Sequence, residues 1–106
     1  MNAPHAKPWL EGPGESIGHI LAIKSHRRPN GYLSYIFELD DHLIGVSDWF
    51  IEGVREQLGL AFDVDINEAI GKAVLVTATR IELKHKTRLG KANHYTVYSF
   101  RLTIGF

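Results

Sequence analysis

The sequence predicts a mainly β domain, a five-stranded OB-like Greek-key barrel with one helix between its third and fourth strands. Three observations point there. Five segments carry the period-two alternation or the dense apolar run of a strand, one segment carries helical i, i+4 spacing, and turn-forming residues separate them. The length, 106 residues, suits one domain that closes a core without needing disulfide or metal, and the absence of cysteine excludes disulfides and Cys-ligated metal sites.

The order begins with residues 1–14, where Pro4, Pro8, Gly12 and Pro13 break any periodicity. This segment is expected to be a flexible leader, with Trp9 and Leu10 pinning it to a domain spanning 15–106. From Ile17 to Ser25, Ile17, His19, Leu21 and Ile23 alternate with Gly18, Ile20, Ala22 and Lys24, a first strand apolar on both faces in its middle. Arg28, Pro29, Asn30 and Gly31 then form a turn, because Pro fixes φ while Asn and Gly tolerate positive φ. Tyr32 to Leu39 is the second strand, with Leu33, Tyr35, Phe37 and Leu39 on one face. His42 to Ser47 is a short third strand whose Gly45 marks an expected bulge or bend.

Asp48 is the expected N-cap of a helix running to Leu58, since a carboxylate accepts from first-turn amides. Phe50, Ile51, Val54 and Leu58 form its inward stripe, and Gly59 supplies a left-handed end. A short turn starting at Asp65 or Asn67 is expected to end at Gly71. Ala73 to Leu83 is the fourth strand, its Val74, Leu75 and Val76 suggesting a central place, and Tyr95 to Ile104 is the fifth.

In this order the sequence resembles the phage-type single-stranded-DNA-binding proteins of the OB-fold class. The resemblance is carried by the opening strand, Ile17 to Arg28, leading into a polar turn. It is carried also by the helix ahead of Gly71, Lys72, Ala73, Val74, Leu75 and Val76, and by the Lys- and Gly-containing hairpin before Tyr95. It implies a binding surface on the middle strands and two loops, here Arg27 to Tyr35 and Lys84 to Lys91.

The formal net charge is zero, but its distribution is uneven. Six basic residues face one acid between positions 80 and 101, and nine acids face one base between 38 and 68. Either these regions lie on different faces, leaving a local positive field, or they pair with each other. Phosphates take cations and unpaired bases take flat rings, so the sequence favours single-stranded nucleic acid, DNA first, as the partner. The expected contacts are Arg27, Arg28, Lys84, Lys86, Arg88 and Lys91 on phosphates, with Tyr32, Tyr35 or Tyr95 stacking on bases. Tyr32 and Tyr35 face opposite sides of their strand, so one of them at most is core.

No catalytic residues, metal ligands or cofactors are expected. The six histidines show no His-x-His or His-x-x-x-His spacing, and the serines lack a nucleophile motif. His85 and His94 instead add positive charge to the hairpin as pH falls. The competing expectation is a non-enzymatic adaptor or inhibitor that meets a protein partner through its acidic helix region (Glu52, Glu56, Asp63, Asp65), with Trp49 as anchor or as core. The apolar end, Leu102 to Phe106, fits either an extended last strand or homo-oligomeric edge pairing. No apolar run approaches a membrane span and no signal-peptide core is present, so a soluble cytoplasmic protein is expected.

Overall fold

Residues Ile17 to Ser25 do not form one strand. The computed structural model describes residues 7–86 and 92–103, with side chains for 7–82 and 94–103, and within them the chain breaks at Ile20 and Leu21. The two halves are β1 (Gly14–His19) and β2 (Ala22–Arg27). They are followed by β3 (Leu33–Glu38), β4 (Leu43–Ser47), α1 (Ile51–Gln57), a 3-10 turn (Ile66–Ala69), β5 (Ala73–Lys86) and β6 (Ala92–Leu102).

The expected five-stranded barrel is therefore corrected. The described strands number six and form two three-stranded antiparallel sheets, ordered β1-β5-β6 and β2-β3-β4. No described pairing closes them into a barrel, and the helix lies between the fourth and fifth strands rather than the third and fourth. The cause is backbone bonding at the break. The Ile20 amide donates to Lys72 O at 3.0 Å and its carbonyl accepts from the Gly71 amide at 2.7 Å, whereas the next amide, Leu21, donates to Glu38 O at 2.8 Å. Adjacent residues thus serve different sheets, which a run apolar on both faces permits.

Between the sheets lies one core. Phe37, Ile44 and Ile20 meet Val74, Val76 and Phe100, with Phe37 and Phe100 ring centroids 5.2 Å apart at 51°. Ile51 and Val54 of α1, with Leu58 just past its end, are buried against it. The Gln57 side-chain oxygen accepts from the Phe100 amide at 2.8 Å, tying the helix to β6. Phe50, expected inward, is instead the residue before the helix and is exposed.

The glycine turns form as read. Gly31 (φ 91°) closes the β2–β3 turn by donating to Arg28 O at 2.9 Å, and Gly59 and Gly71 also hold positive φ. Asp65 starts the 3-10 turn by accepting from the Asn67 amide at 2.8 Å. Gly45 is not a bulge, since the β3–β4 register runs unbroken through Ile36↔Gly45. The ring of Trp9 lies over this position, where a Cβ would meet it in ordinary contact at 3.4 Å.

Trp9 reaches this position because Pro8 to Leu10 run beside β4. Leu43 donates to Pro8 O and the Leu10 amide to Leu43 O, both at 2.9 Å, and Leu10 is buried. Lys7 continues the attachment, its Nζ 2.6 Å from Glu38 Oε2 and 2.8 Å from Leu39 O. On the far side of the same turn, the His19 amide donates to Asp40 Oδ2 at 2.9 Å.

These contacts give a pH prediction. The Lys7 hydrogen bond and charge hold the Glu38 carboxyl below its ordinary 4.5, and the His19 amide holds Asp40 below its ordinary 3.8. Both groups bind protons less readily folded than unfolded. Their contribution to stability is fully present above the ordinary values and is lost as pH falls through the lowered ones. The double variant Glu38→Gln, Asp40→Asn should therefore show a shallower fall of melting temperature below about pH 4.5. Superimposable acid limbs for variant and parent would refute the assignment.

Candidate functional site

The Arg28–Gly31 turn, the β4 strand and the start of β6 converge on a groove. One cavity, about 440 Å³, is lined by Tyr95 and Tyr98 of β6 and by Tyr35, Trp9, Phe50 and Arg28. A second cavity of about 450 Å³ is lined by Arg28, Tyr32, Asp48 and Trp49 among others. The two share Arg28, Ser34 and Ser47, so they adjoin as a track along these residues. Each has the size of a small-ligand pocket.

Strand alternation explains which rings are available. Tyr35 points toward the core and is half-buried, while Tyr32 just beyond the turn is 65% exposed. On β6, Phe100 fills the core. Tyr98 is half-buried, its hydroxyl donating to Leu10 O at 2.7 Å, and burial aided by the Glu11 charge raises its phenol above the ordinary value. Tyr95 is 42% exposed at the groove, and Trp9, which also lines it, is 51% exposed. Rings that keep such area in water while lining a concavity offer faces for stacking.

The charge at the groove is one-sided. None of the described residues lining the first cavity is acidic, and His26 joins Arg28 there. The Arg28 guanidinium makes no hydrogen bond or ion pair among the described residues. Arg27 behaves differently, donating from its guanidinium to Gly31 O at 2.8 Å and so bracing the turn.

Of the residues expected to bind, the structure brings Arg28, Tyr32, Tyr35 and Tyr95 to this track, whereas Arg27 lines neither cavity and its guanidinium is bonded to Gly31 O. Arg88 and Lys91 lie outside the described residues. Lys84 and Lys86 belong to β5, but their side chains lie outside them too. The sequence did not single out Trp9 or Phe50 as groove residues. Trp9 stands in a segment without periodicity, and its seat over Gly45 is a long-range contact with no local signal.

Trp49 is 86% exposed, which removes the core alternative for it. Elsewhere, His42 Nδ1 shares a 2.7 Å hydrogen bond with the buried Ser16 hydroxyl. His94 Nδ1 lies 3.4 Å from Arg80. Among the described residues no group of His, Asp and Glu is arranged to hold a metal ion, and no helix is long and apolar enough to cross a membrane.

No protein-family model, curated protein or solved structure matches the chain.

Proposed function

We propose that this protein binds single-stranded nucleic acid without catalysis, seating unpaired bases against the aromatic walls of the groove and a phosphate on Arg28. The observation that carries this reading is the groove itself: a cavity whose described lining has no acid and includes the exposed rings of Trp9, Phe50 and Tyr95, with an Arg28 guanidinium that has no partner among the described residues and is shared with a second cavity. Every base has a π-face, so such walls accept a strand with little regard to sequence, and the cation supplies the salt-dependent part of the affinity. A duplex hides its base faces and does not fit a track of this kind.

Fluorescence anisotropy with labelled single- and double-stranded oligonucleotides at low and moderate salt tests the reading. Preference for the single strand, weakening as salt rises, is the expected result. Equal binding of both forms, or no binding at low salt, would overturn it.

A second reading, a protein-docking module, has its own observation. Phe62 is 94% exposed on the loop after α1. Arg55 braces that loop by donating to the carbonyls of Ala61 and Phe62, each at 3.1 Å, and of Val64. A fixed, solvent-facing ring beside Glu52, Glu56 and Asp63 suits a basic partner. Partner recovery that survives nuclease digestion would favour this second reading.

A further inference from the structure

Asp48 is the one acid on the described lining of the track, and the fold leaves it without a local role. The spacing of the sequence assigns it to helix capping, but α1 begins three residues later, its cap position is Phe50, and no side chain caps it. The backbone of Asp48 is engaged, its amide donating to Leu33 O at 2.9 Å. Its exposed carboxylate makes no hydrogen bond or ion pair among the described residues, with Arg28 or with any other cation. It lines the second cavity together with two exposed rings, Tyr32 and Trp49.

A carboxylate beside a polyanion's path opposes binding unless it receives hydrogen bonds from the ligand. Its two oxygens accept side by side and donate nothing. Among the bases, guanine presents two adjacent donors on its Watson–Crick edge, N1–H and the N2 amino group. Adenine and cytosine present one amino donor there next to a bare ring nitrogen. Thymine and uracil present one N–H between two carbonyl oxygens, which a carboxylate repels.

We infer that the second cavity is a guanine subsite, in which Asp48 accepts from the guanine N1–H and N2 amino group while Tyr32 and Trp49 flank the base. The inference rests on the single-strand reading of the groove and adds a specificity to it. The rest of the track holds bases by their faces alone, and this position reads an edge.

The test compares a short oligothymidylate with the same oligomer carrying one central guanine, adenine or cytosine, each titrated by anisotropy against the parent protein, Asp48→Asn and Asp48→Ala. The parent should bind the guanine oligomer about tenfold more tightly than oligothymidylate, the size expected of a paired base contact. In both variants that ratio should collapse toward one, while oligothymidylate affinity is kept or raised, because a negative charge has left the path of the strand. The ratio is the deciding quantity, since a general electrostatic effect of removing Asp48 changes both oligomers alike.

Equal binding of all four oligomers by the parent, or a guanine preference that survives in Asp48→Ala, overturns the subsite and leaves the groove reading standing. Failure of the parent to bind any oligomer at low salt overturns both. Free guanosine monophosphate binding as tightly as the guanine oligomer would overturn the strand assignment in favour of a mononucleotide site.

Discussion

Replacing Phe37 by alanine should cost about 3–5 kcal/mol of stability, the largest single effect expected in this protein. The ring is fully buried, sits against Phe100 at 5.2 Å, and belongs to β3, the central strand of its sheet. Its removal takes away apolar burial and leaves a cavity where both sheets meet. The surroundings cannot collapse into it freely, because the β2–β3–β4 ladder fixes the backbone on either side. A domain of this size has about 5–15 kcal/mol in total, so the variant should melt at least on the order of 15 °C lower. Urea denaturation and thermal melting both read it. A loss under about 1 kcal/mol would mean that the ring does not fill the core as described.

The second large effect concerns binding. The double variant Arg28→Ala, Tyr95→Ala should bind a single-stranded oligonucleotide about a hundredfold more weakly at moderate salt. Loss of one stacking ring costs about 1–3 kcal/mol, and loss of one phosphate contact lowers the salt slope by about 0.7 as well as the affinity. Both side chains are exposed, and the Arg28 guanidinium makes no hydrogen bond or ion pair among the described residues, so the melting temperature should change little. This separates the variant from Phe37→Ala. Unchanged affinity and salt slope in a folded double variant would remove the groove from the mechanism.

Much of the local structure was legible because local chemistry decides it. The Arg28–Gly31 turn, the glycines at 59 and 71 and the Asp65 cap each depend on a residue's own φ preference or a hydrogen bond two residues away. The inward alternation of Phe37 and Leu39 follows from the strand's period of two. What was not legible depended on distant partners. Ile17 to Ser25 reads as one strand from its side chains, and only the bonds from Ile20 to Lys72 and from Leu21 to Glu38 show that it serves two sheets. Asp48 has the right residue type for a cap, but the chain turns through Asp48 to Phe50 before the helix starts.

The groove divides along the same line. Arg28, Tyr32, Tyr35 and Tyr95 stand out in the sequence as cations and rings beside turns, which is why they were nameable in advance. Trp9 and Phe50 acquire their places only when the segment before β1 lies along β4 and when α1 starts late. Charge totals were a poor guide as well. The net charge of zero hides a cavity whose described lining has no acid and a neighbouring one with a single acid, and only the fold sorts them.

The division of one continuous segment between β1 and β2 also sets an order in time. β2, β3 and β4 are consecutive and joined by short turns, so their contacts close small loops and form quickly. β5 and β6 are likewise consecutive and close a loop as small as that of β2 and β3, whereas β1 must wait for β5, which lies beyond the helix. Each sheet's share of the groove therefore forms locally, and the meeting of the two shares waits for the long-range pairing of β1 with β5. A ligand spanning both shares engages contacts that the folding transition state has yet to make. Binding should then lengthen the lifetime of the native state by slowing unfolding, and leave the rate of folding nearly as it was.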